Sequence, residues 1–166
     1  MKRFEGLIWV LALAWAIAAL VPARFWYDAH DTRVDDFYEG DPFELLYSGG
    51  AVRDFIGSYA VIIRNTDTRA IVGEDRSARF PYRADAVRPM PLTITWWAPG
   101  DARAHALPPG SYQMQTCWTI HDAFWGLVPA KTTCSESNIF RVHQRQRERL
   151  QPSPVFRWPG TLGALY

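Results

Sequence analysis

Residues that commonly bind metals or act as nucleophiles are scarce in this sequence. Its 166 residues include two cysteines, three methionines and four histidines. The formal net charge is only +1, and a charge so close to zero indicates no particular charged partner. We therefore expect no specific binding of nucleic acid.

Motifs that carry catalysis or bind cofactors are also missing. The chain contains neither G-x-S-x-G nor G-x-G-x-x-G, the patterns of serine hydrolases and of dinucleotide-binding proteins. Two His-Asp dipeptides begin at His30 and His121. They would bind a divalent metal only if the fold brought them together, because neither has the spacing of a ligand pair. We predict a protein without catalytic activity, cofactor or metal; a small hydrolase or a metal-dependent enzyme is the distant alternative.

Long hydrophobic runs are absent apart from one at the amino terminus. Residues 6–23 form an uncharged run of 18 residues, followed after Arg24 by the triplet Phe25-Trp26-Tyr27. A helix of this length would measure about 27 Å at ~1.5 Å per residue, close to the hydrocarbon core of a bilayer. The triplet lies where an interfacial aromatic belt is expected. The pattern predicts a transmembrane anchor over residues 1–27 that contacts the lipid bilayer through residues 6–27.

Two basic residues, Lys2 and Arg3, precede this run and place the amino terminus in the cytoplasm by the positive-inside rule. The competing interpretation is a signal peptide, since Val21-Pro22-Ala23 has the small residues of a cleavage site. Both interpretations place the rest of the chain in the periplasm or outside the cell. With the segment retained, the protein crosses the inner membrane once.

The two cysteines, Cys117 and Cys134, predict a disulfide bond in an oxidising compartment. Closing a loop of this length stabilises a fold by roughly 3 kcal/mol in the chain-entropy model. A metal site is less favoured because His121 is the only histidine nearby. No motif supplies a base that would activate either thiol.

Strand-like runs separated by turn residues predict a mainly β domain, an antiparallel sandwich, over residues 28–142. Residues 70–72 are expected to pair back on the run before them, and Pro81 restricts its run to a sheet edge. Residues 143–166 form a basic, proline-containing tail. The runs are residues 43–47, 58–64, 70–72, 77–82, 92–97, 112–120 and 137–142.

Alternation of apolar and polar residues predicts which side chains face the core. In residues 92–97 the inward face holds Leu92, Ile94 and Trp96. In residues 112–120 the alternate residues share one face of the strand: Tyr112, Met114, Thr116, Trp118 and Ile120. Cys117 lies on the opposite face.

The segment Leu107-Pro-Pro-Gly-Ser-Tyr112 resembles the turn into a late strand of immunoglobulin-like and fibronectin type III-like sandwiches. In such folds a tyrosine packs across the corner and hydrogen-bonds to upstream backbone. Trp96 resembles their core tryptophan, so the resemblance, which covers residues 92–142, implies that Trp96 and Tyr112 are core residues. Antibody domains differ, because both cysteines here follow Trp96 and would join the last hairpin instead of two sheets.

The overall layout, an amino-terminal anchor and a small sandwich, is also similar to that of many small envelope proteins of proteobacteria and their phages. This similarity implies an envelope location and says nothing about mechanism.

The loop between the cysteines is one candidate contact surface. Phe124, Trp125 and Leu127 form an apolar group without strand-like alternation, and exposed aromatic residues are favoured at interfaces. The alternative is that this loop folds back and caps one end of the sandwich.

The basic segment after the last strand is the other candidate. Its arginines, Arg145, Arg147 and Arg149, would contact phosphate groups of lipid or nucleic acid. The alternative is a solvated tail that pairs with the acidic residues of the 28–44 segment.

Together these observations predict a membrane-anchored, extracytoplasmic binding or assembly domain with a protein partner that the sequence does not identify. The alternative is a signal-cleaved domain of the same fold that is secreted or carried by a virion.

Overall fold

The computed structural model describes residues 2–84, 90–98, 100 and 106–145. A helix leads into a β-rich domain with short 3₁₀ turns at Ala23–Phe25 and Ala123–Gly126. In chain order the remaining elements are α1 (Lys2–Leu20), β1 (Tyr27–Val34), β2 (Phe37–Tyr38), β3 (Glu44–Ala51), β4 (Phe55–Asn65), β5 (Ile71–Arg76), β6 (Phe80–Tyr82), β7 (Met90–Thr93), α2 (Ile94–Trp97), β8 (Gly110–Ile120), β9 (Lys131–Glu136) and β10 (Phe140–His143).

Helix α1 is rich in alanine and leucine, which have high helix propensity. It ends at Leu20 because Pro22 has no amide hydrogen to continue the hydrogen-bond ladder. The amide of Val21 closes the last turn on the carbonyl of Ala18 at 3.3 Å. Within the described residues, no helix combines the length and the hydropathy that crossing a membrane requires.

The domain is mainly β, as predicted, and contains two sheets. The first has the strand order β1-β3-β7, and the second has the order β2-β10-β8-β4-β5 with β6 beside β4 and β9 beside β8. β4 and β8 pair antiparallel over residues 57–65 and 112–120. The prediction of a purely antiparallel arrangement is wrong at one edge, where β2 pairs with β10 in parallel. Alternation specifies the buried face of a strand but not the direction of its neighbour.

Strand β8 supplies the centre of the core. As the alternation predicted, one face of β8 is at most 2% exposed, and Cys117 lies on the other. The hydroxyl of Tyr112 donates to the carbonyl of Pro108 at 2.6 Å, which satisfies the polar end of a ring that is otherwise inside the core. The buried set is Tyr112, Met114, Thr116, Trp118 and Ile120.

Aromatic rings from both sheets meet across this core. The Tyr27 ring of β1 stacks on Trp118 of β8 at 4.6 Å between centroids, and Tyr47 of β3 lies 5.5 Å from Trp118. The Tyr27 and Tyr47 hydroxyls hydrogen-bond to each other. Burial raises the pKa of both hydroxyls well above their ordinary value of 10.0, so the pair is neutral at physiological pH.

The two sheets are also joined by polar contacts along one side. The Asn138 side chain accepts the amide of Val34 at 2.9 Å and donates to the carbonyl of the same residue at 2.8 Å. Thr32 and Ser137 form a parallel bridge. Through these bonds β1, a strand of the first sheet, also pairs with the residues that connect β9 and β10 of the second sheet.

The predicted strand over residues 92–97 is only half correct. β7 ends at Thr93, and the amide of Ala98 bonds to the carbonyl of Ile94 at 2.7 Å, which closes a helical turn. Because of this turn, Trp97 enters the core, where it is 4% exposed and its Nε1 donates to Thr116 Oγ1 at 3.0 Å. The predicted inward position of the Trp96 side chain lies outside the described residues.

Two residues of the expected aromatic belt belong to the core instead. Trp26 and Tyr27 are 6% and 4% exposed, so the folded domain begins before residue 28. Strand β1 was not predicted because its exposed residues, such as Asp31 and Arg33, are charged, and β9 was not predicted because Lys131–Glu136 contains one small apolar residue, Cys134, among polar ones. β1 is a strand because it pairs with β3, and β9 is a strand because it pairs with β8.

Candidate contact surface

The β8–β9 hairpin carries the predicted disulfide bond. Cys117 and Cys134 are directly opposite each other in the strand register, with their Cα atoms 4.0 Å apart and their sulfur atoms bonded. The bridge lies on the outward face of β8 and joins neighbouring strands of one sheet. It therefore closes the hairpin whose connecting residues, 121–130, hold the three apolar residues singled out in the sequence.

The turn of this hairpin has an unusual backbone. Phe124 and Trp125 have φ angles of 49° and 58°, and Gly126 follows with 79°. The left-handed region is rare for residues other than glycine and costs of order 1–3 kcal/mol per residue. Contacts on its inner side hold the turn: Ala123 is fully buried, and the Phe124 ring meets Trp26 edge-on at 5.1 Å.

This conformation divides the loop into an inner and an outer side. Phe124 is partly buried against the core and Val128 is 5% exposed, while Trp125 is 90% and Leu127 is 69% exposed. The inner side of the loop covers one end of the core, as the capping interpretation expects, and its outer side presents two large apolar side chains. We call Trp125 and Leu127 the tip.

The tip lies beside the last turns of α1. Nε1 of Trp15 donates to the carbonyl of Leu127 at 2.8 Å, and Nζ of Lys131 donates to the carbonyl of Ala19. The second bond satisfies a carbonyl at the end of a helix, where no amide of the helix is available and a cation is favoured. The sequence offered no signal for this contact, because it joins residues 112 positions apart.

Next to the tip is a shallow basic cleft that the sequence did not indicate. It encloses about 400 Å³ and is lined by Arg24, Phe25 and Arg53, together with Pro22, Asp28 and Val52. The Arg53 guanidinium lies 3.9 Å above the Phe25 ring, in the geometry of a cation–π contact. Phe25 in turn stacks on Phe124 at 6.3 Å, so the cleft and the loop share one aromatic cluster.

Residues 143–145, the described start of the basic tail, lie at the other end of the domain. β10 pairs with β8 at residues 110–112, whereas the hairpin loop follows residue 120. The 11 residues of β8 separate these ends by roughly 33 Å at ~3.3 Å per residue. Among the described residues, the loop is thus not brought together with Arg145. Arg145 pairs with Asp41 of the acidic segment, and the predictions for Arg147 and Arg149 fall outside the described residues.

The histidines of the two His-Asp dipeptides, His30 and His121, contact neighbouring polar side chains. His30 Nε2 lies 2.9 Å from Asp28 Oδ2, and His121 Nε2 lies 2.8 Å from Ser58 Oγ. A serine–histidine pair catalyses acyl transfer when a third group orients the base; the adjacent acid, Asp122, instead accepts the amide of Ile56 at 2.8 Å. In the part of the chain that is described, no group of three or more His, Cys, Asp or Glu side chains is arranged to hold a metal ion.

No protein-family model matches this chain, and no curated protein is significantly similar to it.

Proposed function

We propose that this protein is an extracytoplasmic binding or assembly domain without catalytic activity, held at a membrane by α1. The observation that carries the proposal is the exposure of α1. Its large apolar side chains are between 52% and 82% exposed: Phe4, Leu7, Ile8, Trp9, Val10, Leu11, Leu13, Trp15, Ile17 and Leu20.

An isolated exposed leucine is unremarkable, but a helix that exposes apolar side chains along its whole length is unfavourable in water. Transfer of apolar surface out of water is favourable by ~25 cal/mol per Å², and the domain covers only the last turns of the helix, at Ala18 and Ala19. A lipid phase supplies the missing apolar environment. An extracytoplasmic location of the domain agrees with the disulfide bond, which persists in an oxidising compartment.

For the domain we propose an immunoglobulin-like sandwich. Support comes from the Tyr112 hydroxyl, which bonds to the Pro108 carbonyl as the tyrosine corner of such folds does, and from Trp97, which lies between the two sheets. The parallel β2–β10 pair is a departure from this fold. As contact elements we propose the tip at the helix end of the domain and the segment around Arg145 at the far end.

A topology reporter tests the location. In the full chain, a reporter that is active only outside the cytoplasm, fused after Tyr166, should be active. The same fusion with residues 6–20 deleted should be inactive, because the export signal is gone. Activity of a cytoplasm-specific reporter on the intact chain would overturn the proposal.

A second candidate is the signal-cleaved form, a secreted or virion-associated domain. It is favoured by the position of α1, which ends at Leu20 directly before Val21-Pro22-Ala23, while the buried core begins at Trp26. Cleavage after Ala23 would therefore leave the core whole. Mass spectrometry of the mature amino terminus separates the two forms: a chain that begins at Arg24 is the cleaved one.

A further inference from the structure

We propose that the tip is a second membrane-contacting element: Trp125 and Leu127 insert into the interface of the phospholipid bilayer that holds α1. This inference rests on the proposed membrane association of α1 and adds a partner for the hairpin loop. It assigns the disulfide-closed loop to lipid contact and leaves the far end of the domain for any protein partner.

The depth of the tip relative to α1 is the first argument. The Leu127 carbonyl bonds to the indole of Trp15, a residue five positions before the helix end at Leu20. Five residues span about 7.5 Å at ~1.5 Å per residue. The loop thus reaches back past the end of the helix. A bilayer that covers α1 as far as Leu20 covers the tip as well, at the depth of roughly 5–10 Å that interfacial apolar groups occupy.

The form of the tip is the second argument. Trp125 and Leu127 project from a turn with consecutive left-handed residues, which Phe124 fixes by packing on Trp26 and Phe25. The turn therefore presents its tryptophan in one orientation instead of letting it fold onto the domain. Tryptophan is enriched at membrane interfaces because its ring is apolar and its N–H is polar.

Three basic residues lie at the end of the domain that carries the tip. Lys131 caps the Ala19 carbonyl near the helix end, and Arg24 and Arg53 line the cleft beside Phe25. Asp28 also lines this cleft, and its carboxylate pairs with His30. Cations at the same end of the domain as an apolar tip match the order of phosphate and acyl chain in a phospholipid layer.

The contact between the tip and α1 favours lipid as the partner of the tip. The Trp15 side chain, which is 52% exposed, contacts the tip directly through its hydrogen bond to the Leu127 carbonyl. A protein partner on Trp125 and Leu127 would have to share this surface with whatever covers α1. One bilayer covers both.

Photocrosslinking in vesicles tests the inference on the full chain. The protein is reconstituted into vesicles of phosphatidylcholine and phosphatidylglycerol that contain a phospholipid with a diazirine on its acyl chain. After illumination, adducts are mapped by mass spectrometry of the digested protein. We expect adducts in two segments, α1 and residues 124–127.

Matched variants show whether the adduct depends on the tip. Trp125→Asp combined with Leu127→Asp should abolish the 124–127 adduct and leave the α1 adduct unchanged, with circular dichroism confirming the fold. Ile139→Asp alters a side chain that is 59% exposed at the far end and should leave both adducts unchanged.

The two proposals fail differently in this experiment. Adducts on α1 without adducts on residues 124–127 of the wild-type chain overturn the inference and leave the membrane association of α1 in place. Absence of adducts from both segments overturns both. The wild-type map decides the outcome even if the aspartate variant does not fold.

Discussion

Trp97 and Trp125 are identical side chains in opposite surroundings, 4% and 90% exposed. Trp97 lies between Tyr47 and Tyr59, with ring centroids 4.9 and 5.9 Å away, and bonds to Thr116. Trp125 is held outward by its own backbone. At the scale of the residue, a local turn decides the role of each: α2 brings Trp97 into the core, and the left-handed turn keeps Trp125 out of it.

Substitution of these two tryptophans should separate their roles. Trp97→Ala should lower the free energy of unfolding by about 3–5 kcal/mol, because it leaves a large cavity and removes the partner of a buried hydroxyl. Trp125→Ala, the matched control, should change it by less than ~0.5 kcal/mol. Urea denaturation measures both. Equal effects would contradict the assigned burial.

The buried tyrosine pair predicts a loss of stability at alkaline pH. Burial raises the pKa of Tyr27 and Tyr47 in the folded state, whereas in the unfolded chain both titrate near 10.0. Below pH 10 both states hold the protons and stability does not depend on these groups; above it the unfolded state releases protons first, so the free energy of unfolding falls as pH rises.

Absorbance of tyrosinate during an alkaline titration checks this. Tyr27 and Tyr47 should ionise only together with unfolding. Tyr27→Phe combined with Tyr47→Phe should remove part of the loss above pH 10. A smooth titration of all tyrosines in a chain that stays folded would be inconsistent with the buried pair.

At the scale of the element, the β8–β9 hairpin combines a rigid base with a strained end. Its base is held by the strand ladder and the disulfide, and its end by Ala123 inside the core and Phe124 packed against it. Neither constraint alone would position the tip, because the bridge lies several residues before the turn. The hairpin therefore presents its apolar residues with little conformational entropy left to lose on binding.

Removal of the bridge should weaken the domain. Cys117→Ser combined with Cys134→Ser should lower the free energy of unfolding by about 3 kcal/mol, since the unfolded chain gains the entropy of a longer loop. Urea denaturation of oxidised wild-type protein against the double variant measures this, and reduced wild-type protein is the control. Free thiols in native protein isolated without reductant would show that the bridge does not form.

For the whole molecule, the consequential feature is the distance between its two ends. The tip, the cleft and the end of α1 occupy one end, and the Arg145–Asp41 pair occupies the other, with the length of β8 between them. Exposed ion pairs contribute ~0–1 kcal/mol each, so the far pair orders the start of the tail more than it stabilises the domain.

Variants at the two ends should therefore be independent. The effects of Trp125→Ala and Arg145→Ala on the free energy of unfolding should add to within about 0.5 kcal/mol in the double variant, as they do for sites without shared contacts. Chemical denaturation of the two single variants and the double variant provides the test. A larger coupling energy would mean that the two ends affect each other's stability through the core.

Several features of the fold could be predicted because they depend on short-range periodicity. The alternation of residues 112–120 identified the inward face of β8, and Ala70-Ile-Val72 indicated the β4–β5 hairpin. The same alternation places Cys117 on the outward face of β8, where it bonds to Cys134 of the neighbouring strand β9. The turn at Ile94 was not predictable, because Leu-Thr-Ile-Thr-Trp-Trp is a favourable strand sequence, and tertiary contacts such as that of Trp97 with Thr116 favour the helical turn instead.

The sequence by itself determined a mainly β domain, an apolar helix ahead of it and a pair of cysteines on one hairpin, because residue type and spacing act locally. Tertiary structure alone decided that Trp26 and Tyr27 belong to the core, that β2 runs parallel to β10, and that the tip lies beside Trp15 of α1. These features depend on contacts between residues up to 112 positions apart. Such contacts form only when the whole core assembles, and local pattern carries no information about them.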